Sequence, residues 1–199
     1  MSEKDTNSTW SMIKLGLTLA AYAVVSCTIL ALVNWGTSGK IKQNQIDKAN
    51  RAMKAVFQEA DSFTQIDVIP STDKTITIDN EYIAVKDGAI IGGIAQVTGP
   101  TYDKGTVIVG MTKDGIITGV QFLALSDSPG FGLKANDPTF KLSSGKTFTQ
   151  QFEGVNAENG VAIGENFDAI TGATITSKGV GALITQGTSS LKKYFEGAE

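Results

Sequence analysis

The feature that most constrains this chain is an uncharged apolar run near its N-terminus. Residues 15–33 read LGLTLAAYAVVSCTILALV and contain no Asp, Glu, Lys or Arg. A helix of about 20 apolar residues is long enough to cross the hydrocarbon core of a bilayer. Trp10 and Trp35 flank the run, where aromatic residues of the two membrane interfaces are expected. We therefore predict three parts: an N-terminal segment at 1–14, a transmembrane helix at 15–35 and a folded domain at 36–199.

A cleaved signal peptide and a lipoprotein anchor are the two alternatives to a permanent span. A signal peptide has a shorter apolar core and small residues at its cleavage site, and Ala31 and Asn34 make a poor one. Residues 24–27, Val-Val-Ser-Cys, have the residue types of a lipidation site, but the apolar run continues for six more residues. We therefore interpret Cys27 as a small buried helix residue.

The residue types that are missing narrow the chemistry. The 199-residue chain contains no histidine, which is the commonest metal ligand and general base, and Cys27 is its only cysteine. An internal disulfide and a Cys-ligated zinc or iron–sulfur site are therefore excluded, and we predict no metal site. A net charge of −3 gives no reason to expect nucleic-acid binding. If the protein moves electrons, an organic cofactor must carry them.

The segment from Thr75 to Leu125 predicts an antiparallel sheet. It is rich in β-branched residues, and several of its breaks carry turn residues such as Asp87-Gly88 and Asp114-Gly115. Such turns between short strands are typical of hairpins, and no helix-length pattern separates the strands, which disfavours a parallel βαβ arrangement. The predicted strands are 75–78, 82–85, 89–97, 106–112 and 116–125, with a further turn at Asp79-Asn80.

A helical pattern precedes this sheet. Residues 34–42 read as a mostly polar exit from the span, and apolar residues then recur at three- and four-residue spacing through about 43–60. We interpret this stretch as an amphipathic helix that packs on the domain, with a solvated stalk as the alternative. Its apolar positions are Ile46, Ala49, Met53, Val56, Phe57 and Ala60.

A loop at 126–145 and a second helix at about 177–195 follow the sheet. Three glycines in this helix each cost about 1 kcal/mol relative to alanine, and we interpret them as places where other backbone approaches closely. The fold class is therefore α+β, an antiparallel sheet flanked by helices, with one N-terminal transmembrane helix. The glycines are Gly179, Gly181 and Gly187, and the predicted buried stripe is Val180, Leu183, Ile184, Leu191, Tyr194 and Phe195.

Residues 168–177 carry the most specific chemistry. They read Asp-Ala-Ile-Thr-Gly-Ala-Thr-Ile-Thr-Ser and place four hydroxyl groups before the predicted helix. Gly172 permits a positive φ or a close approach to a ligand, and Thr176 or Ser177 is a suitable N-cap. Free N–H groups and the helix dipole attract an anion there, so the segment suits a phosphate. Ordinary helix capping uses the same residue types and remains the alternative.

The order of these residues resembles the flavinylation motif of FMN-binding domains, in which Asp is followed after two residues by Ser/Thr-Gly-Ala-Thr. That family includes the G subunit of Rnf electron-transport complexes, to which this chain is closer in length, and the C subunit of sodium-translocating NADH:quinone reductase. The resemblance implies that Thr174 is bonded through its oxygen to the phosphate of FMN. It further implies a dedicated flavin transferase, which installs the group from FAD outside the cytoplasm.

Two further stretches resemble the same family. Residues 105–110 and 114–120 resemble its central hairpin, and residues 127–132, Asp-Ser-Pro-Gly-Phe-Gly, resemble its Glu-Thr-Pro-Gly-Leu-Gly loop near the flavin. The chain departs from this pattern at Leu125, where His is common, and at Asp127, Ser128 and Phe131, which stand for Glu, Thr and Leu.

The resemblance implies a set of cofactor contacts around Thr174 and no catalytic residue in the chain itself. Asp168 would fix the loop or assist attachment, with an ordinary turn role as the alternative, and Phe131 is either a ring contact or a core residue. The residues implied at the phosphate are Thr171, Gly172, Ala173, Thr176 and Ser177, and those beside the ring are Pro129, Gly130, Phe131, Gly132 and Leu133.

The implied function is that of an electron-transfer subunit in a membrane-bound, ion-translocating ferredoxin:NAD oxidoreductase. Such a subunit is incomplete alone and requires other membrane subunits as partners. The alternatives are the C-type subunit of the quinone reductase and a membrane-anchored structural or pilus-like protein without cofactor. A pilin would have Gly-Phe and a Glu near the start of its apolar helix, and Gly16-Leu17-Thr18 does not supply them.

Membrane orientation receives two opposite signals. Two lysines precede the span, whereas Lys40, Lys42, Lys48 and Arg51 follow it, so the positive-inside rule favours a cytoplasmic domain. The resemblance implies an extracytoplasmic one. Because long domains translocate largely regardless of flanking charge, we predict residues 1–14 in the cytoplasm. The domain would then lie outside the inner or plasma membrane.

Overall fold

The structure is a computed structural model that describes the backbone of residues 3–197 and the side chains of residues 10–197. The outermost ends of the predicted parts, residues 1–2 and 198–199, lie outside the described residues. The chain forms two compact units that divide between Asp47 and Lys48. Its elements are α1 (Glu3–Val56), β1 (Ser62–Ile66), β2 (Thr77–Lys86), β3 (Ala89–Pro100), β4 (Lys104–Thr112), β5 (Ile117–Leu125), two short 3-10 helices (Gly132–Asn136 and Gln150–Phe152) and α2 (Thr174–Gly197).

In the N-terminal unit, the apolar run is helical and is not covered by protein. Every side chain from residue 10 to residue 46 is exposed, including Trp10 at 58 % and Trp35 at 80 %. A helix with apolar side chains all around it requires an apolar environment, which a bilayer supplies. Within the described part of the chain, α1 is the one helix long and apolar enough to cross a membrane.

The two threonine hydroxyls of this run make their hydrogen bonds within the helix. Thr18 and Thr28 each donate a hydrogen bond of 2.7 Å to the carbonyl four residues earlier, as hydroxyls must where no water is present. The interpretation of Cys27 as a buried residue is wrong, because the thiol is exposed.

The polar exit at 34–42 is helical: α1 continues through it to Val56, so the predicted transmembrane and amphipathic helices form one element. The polar residues there are compatible with a helix: Thr37 donates to the Val33 carbonyl at 2.8 Å and Ser38 to the Trp35 carbonyl at 3.0 Å. The segment contains no proline, and the cost of about 1 kcal/mol for each glycine is not enough to break a helix.

The end of α1 lies in the second unit and covers one face of the sheet, which excludes the stalk alternative for this part. Its buried residues pack against β2, β3 and β4, whereas the predicted position Ile46 is 54 % exposed and does not take part. The cluster comprises Ala52, Met53, Val56, Phe57, Ala60, Ala84, Ile94 and Ile108.

The sheet has five antiparallel strands in the order β1-β2-β3-β4-β5, which confirms the predicted type. The predicted turn at Asp79-Asn80 is instead an irregularity inside β2, between Ile78 and Asn80. Asn80 stays in the sheet because its side chain bonds Gln65 at 3.1 Å and Gln96 at 3.2 Å, on the strands at either side. The sequence missed β1, a five-residue edge strand in which no residue is fully buried.

Helix α2 packs across the other face of the sheet. The predicted close approach of backbone occurs at Gly179, whereas the other two glycines meet side chains. A Cβ at Gly187 would lie 2.8 Å from Val97 Cγ2 and 2.9 Å from Val109 Cγ1. One at Gly181 would lie 2.9 Å from the Phe167 ring. The predicted stripe is confirmed: Val180, Leu183, Ile184 and Leu191 are fully buried, and Tyr194 and Phe195 are half-buried.

A buried carboxyl lies on β2 beneath this helix layer. Glu81 is fully buried, and its Oε2 accepts a hydrogen bond of 2.8 Å from the Ile69 N–H. Its Oε1 has no hydrogen-bond partner among the described residues. Burial raises the pKa of Glu81 above its usual range, although the hydrogen bond from the Ile69 N–H opposes the shift.

We expect Glu81→Gln to stabilise the fold at pH 8 and not at pH 4. The unfolded chain ionises this group near pH 4.5, whereas the folded chain keeps its proton to higher pH. The folded state therefore binds more protons above pH 4.5, and its free energy of unfolding falls as the pH rises through the folded pKa. The gain should be on the order of 1 kcal/mol, the scale of one unsatisfied buried polar group.

Urea unfolding of the detergent-solubilised chain at the two pH values measures this gain. Glu59→Gln is the matched control, because Glu59 is exposed and paired with Lys86 at 2.9 Å. Lys86 lowers the pKa of Glu59, so its neutralisation should give no gain at pH 8. A gain for Glu81→Gln that is equal at both pH values would show that its carboxyl is not the source.

Candidate functional site

The second half of the flavinylation-like stretch, residues 172–176, lines a cavity of about 410 Å³ at the start of α2. Three segments form this cavity: the β3–β4 turn, the loop after β5 and the first turn of α2. Its volume lies in the range of about 300–1,000 Å³ that is typical of small-molecule sites. The lining residues are Tyr102, Ser128, Phe131, Gly132, Gly172, Ala173, Thr174, Ile175 and Thr176.

Helix α2 begins at Thr174, earlier than the sequence predicted. Gly172 has a φ of +82°, which turns the chain into the helix, and the Ser177 N–H donates to the Ala173 carbonyl at 3.0 Å. Thr176 and Ser177 are therefore inside the first turn and are not N-caps. The Ser177 hydroxyl instead accepts from the Ile170 N–H at 3.0 Å and donates to the Ala173 carbonyl.

The early start places Thr174 at the mouth of the cavity as the first helical residue. Its side chain is exposed, and its hydroxyl has no hydrogen-bond partner within residues 3–197. The N–H groups of the first helical turn have no acceptor inside a helix, and none of the described residues accepts from those of Thr174, Ile175 or Thr176. A phosphate bound here would meet free donors and the positive end of the helix dipole.

Three exposed apolar side chains surround the cavity. Phe131 is 57 % exposed, Tyr102 is 64 % exposed and Ile175 is 59 % exposed. The Phe131 ring lies over Gly172, where a Cβ would be 3.3 Å from Cδ1. The alternative of Phe131 as a core residue is therefore wrong. Aromatic side chains thus lie beside a helix N-terminus that can bind a phosphate. This combination fits a phosphorylated aromatic cofactor such as FMN.

Asp127 joins the segments that form the cavity. Its side chain is only 3 % exposed. It accepts four hydrogen bonds: from the Thr101 hydroxyl at 2.5 Å, the Tyr102 N–H at 3.2 Å, the Asp103 N–H at 3.0 Å and the Thr176 hydroxyl at 2.6 Å. Burial opposes its ionisation, but these bonds hold the pKa of Asp127 below its usual range. One carboxylate thus fixes the β3–β4 turn to the first turn of α2.

The structure brings only some of the implied site residues together. Gly132 and Phe131 line the cavity with the motif, whereas Pro129, Gly130 and Leu133 do not. Asp168 and Thr171 line a neighbouring cavity of about 340 Å³ instead. The Asp168 backbone is fixed by Gln151, whose side chain accepts from its N–H at 2.8 Å and donates to its carbonyl at 3.2 Å.

Sequence alone did not identify Tyr102 and Ile175 as lining residues or Asp127 as the residue that joins the segments. Asp127 belongs to the loop that resembles the family's, so the sequence placed it near the site. The sequence did not indicate that it would bond to the β3–β4 turn. Tyr102 has no local signal, because only the packing of α2 against the sheet brings that turn to the motif.

No cluster of three or more potential metal ligands occurs among the described residues.

Comparison with protein families gives two matches. A model of the FMN-binding domain matches residues 101–189, and a model of the RnfG N-terminal region matches residues 1–56. The first match includes the β3–β4 turn, the loop after β5 and the start of α2, which are the three segments of the cavity. The second covers the apolar helix.

Relatives with assigned functions agree over most of the chain. The G subunit of the Na⁺-translocating ferredoxin:NAD⁺ oxidoreductase complex of Acetobacterium woodii is 30 % identical over 86 % of this chain and 87 % of its own length. The G subunit of the proton-translocating ferredoxin:NAD⁺ oxidoreductase complex of Clostridium ljungdahlii is 26 % identical over 89 % of each. The G subunit of the ion-translocating oxidoreductase complex of Cereibacter sphaeroides is 26 % identical over 90 % of this chain and 84 % of its own. The chain therefore belongs to the family of G subunits of Rnf-type ion-translocating oxidoreductase complexes, membrane proteins with an FMN-binding domain and further Rnf subunits as partners.

Proposed function

We propose that this chain carries FMN as a phosphoester on Thr174 and transfers electrons within a ferredoxin:NAD oxidoreductase complex. The observation that carries the proposal is the position of the Thr174 hydroxyl. Thr174 is exposed, is the first residue of α2 and lines the cavity. The match to the FMN-binding domain covers the segments that form this cavity. When bound, FMN would accept two electrons together and pass them on one at a time to single-electron carriers.

Attachment is a transfer of the FMN moiety, through its phosphorus, from FAD by a separate flavin transferase. The Thr174 Oγ forms a bond to the phosphorus of the FMN half, and the pyrophosphate bond of FAD breaks. AMP leaves, and the hydroxyl proton passes to the leaving phosphate or to solvent. The free N–H groups of the first helical turn and the helix dipole stabilise the phosphate oxygens at this position.

The residues around Thr174 hold the acceptor hydroxyl in place. Ser177 ties Ile170 to the start of α2 through its hydroxyl, so the turn at Gly172 is fixed from inside. Phe131 and Tyr102 present exposed aromatic faces to the cavity, where they exclude water from a flat ring. No residue of this chain is required to act as a general acid or base, which agrees with the absence of histidine.

The complex partners follow from the relatives. The Acetobacterium woodii and Clostridium ljungdahlii proteins belong to complexes named for ferredoxin and NAD⁺, and the match to the RnfG N-terminal region favours this assignment over a quinone-reductase component. A pilus-like protein without cofactor is disfavoured by the FMN-binding domain match. In the proposed orientation the domain lies outside the cytoplasm, where protease added to intact spheroplasts would cleave it.

We expect the protein to retain flavin through denaturation when it is produced with a flavin transferase. A phosphoester survives acid precipitation, whereas a dissociable flavin is lost with the fold. Intact mass spectrometry should show one added FMN phosphoryl group, and the acid pellet should stay yellow. Protein produced without the transferase is the control and should have its unmodified mass. An unmodified mass in both preparations would contradict the proposal.

A further inference from the structure

Within the part of the chain that the structure describes, no positive side chain forms an ion pair with Asp127. Its four hydrogen-bond donors are two hydroxyls and two backbone N–H groups, all neutral. None of the ion pairs among the described residues includes it. The carboxylate therefore keeps a full negative charge while being 3 % exposed, and water screens it little.

This charge lies directly behind the wall of the cavity. Thr176 and Gly132 line the cavity, and the Thr176 hydroxyl is 2.6 Å from Asp127 Oδ2. A Cβ at Gly132 would lie 2.6 Å from Asp127 Cβ and 2.8 Å from Oδ2. The Thr176 hydroxyl and Gly132 therefore lie both against the carboxylate and along the cavity beside Thr174.

We propose that Asp127 is a positioning residue that also lowers the reduction potential of the flavin carried at Thr174, an inference that rests on the proposed function. Reduction of the flavin near neutral pH brings two electrons and one proton from solvent into this cavity, a net gain of one negative charge. A fixed negative charge close by, at the low effective dielectric of a protein interior, disfavours the added negative charge. A carboxylate held by neutral donors is suited to this role, because it stays ionised without being cancelled.

A reductive titration of the FMN-loaded, full-length protein tests the inference. Dithionite supplies the two electrons and is oxidised to sulfite, and redox dyes of known potential report the equilibrium. Asp127→Asn should favour reduction by at least tenfold, which is a rise of about 30 mV for a two-electron couple. Asp127→Glu, which keeps the charge, should restore the equilibrium constant to within threefold of wild type.

Asp61→Asn is the matched control for loss of one carboxylate. Asp61 accepts a hydrogen bond of 2.9 Å from the Asp87 N–H, at the β2–β3 turn. That turn lies at the opposite end of β3 from the β3–β4 turn, and β3 has twelve residues, a length of roughly 36 Å at about 3.3 Å per residue. Salt screens a surface charge over about 8 Å, so this variant should leave the potential unchanged.

Three results would overturn the inference. They are an Asp127→Asn potential that falls or stays within threefold of wild type, an Asp127→Glu shift as large as that of Asp127→Asn, and an equal shift in Asp61→Asn. If Asp127→Asn does not fold, Thr101→Val gives the decisive measurement. It removes one neutral donor and leaves the charge, so the potential must stay at or below the wild-type value, and a rise contradicts the inference.

The same samples separate this inference from the proposed function. Intact mass reports whether FMN is on the chain before any potential is measured. Wild-type protein without covalent FMN contradicts the proposed function and this inference together. Loaded protein whose potential does not respond to Asp127 contradicts this inference alone.

Discussion

Thr174→Ala, produced with the flavin transferase, should carry no covalent flavin. The substitution removes the only atom that the proposed phosphoester can use, so the expected loss is complete rather than partial. The fold should be unaffected, because the Thr174 side chain is exposed and its hydroxyl has no partner within residues 3–197. Surface substitutions of this kind change the free energy of unfolding by about 0.5 kcal/mol or less. Intact mass and a circular-dichroism melt measure the two quantities.

Two variants control for this result. Thr139→Ala removes another exposed threonine, one whose hydroxyl donates to Asp137 at 2.7 Å in a separate turn, and it should keep its flavin. Thr174→Ser keeps a hydroxyl at the start of α2 and should recover part of the modification. A Thr174→Ala protein that still carries flavin after acid precipitation would move the attachment to another hydroxyl and refute the assignment.

The structure gives a physical reason why Thr174 differs from the other hydroxyls of the motif. Thr176 is buried and donates to Asp127, and Ser177 is buried and bonded at both Ile170 and Ala173. Thr171 is exposed but lines the neighbouring cavity. Residue types alone made the four hydroxyls equivalent, and the resemblance selected one. Burial and hydrogen bonding disfavour Thr176 and Ser177, and its place in the neighbouring cavity disfavours Thr171, which supports the proposal of Thr174.

The parts of the fold that sequence predicted are those set by local chemistry. The β2–β3 turn has Asp87 at φ +51° and Gly88 at φ +78°, and Gly115 in the next predicted turn has φ +79°. Turns with a positive φ favour Asp and Gly, so these residues predict the turns from sequence. The apolar run of α1 and the buried stripe of α2 are likewise local features. Each can be predicted from the pattern of apolar residues within its own segment.

The parts that sequence missed depend on contacts between distant segments. Edge strand β1 exists because it pairs with β2, from Ser62 opposite Val85 to Ile66 opposite Glu81, and five residues with little burial carry no strand pattern of their own. Tyr102 belongs to the site only because Asp127 and α2 meet the β3–β4 turn. The start of α2 at Thr174 follows from the turn at Gly172, which residue types did not distinguish from a start three residues later.

Gly179→Ala should destabilise the domain, although helix propensity alone predicts the opposite. Alanine is favoured over glycine inside a helix by about 1 kcal/mol. At this position, however, the new Cβ would lie 2.6 Å from both the Pro100 carbonyl oxygen and Thr101 Cα. These are backbone atoms at the end of β3 and the start of the β3–β4 turn, and they cannot rotate away as a side chain can. Overpacking of this kind costs about 1–3 kcal/mol or more, so we expect a net loss of about 1–2 kcal/mol.

Gly197→Ala is the matched control, since it makes the same substitution on the same helix with nothing within 4 Å of the new Cβ. Urea unfolding midpoints of the two variants should differ, with Gly179→Ala alone below wild type. Because Thr101 and Tyr102 belong to the turn that must move, Gly179→Ala should also change the absorbance of bound flavin, whereas Gly197→Ala should not. Equal midpoints would mean that the turn yields without cost, and the close approach of α2 would then not be what fixes the cavity wall.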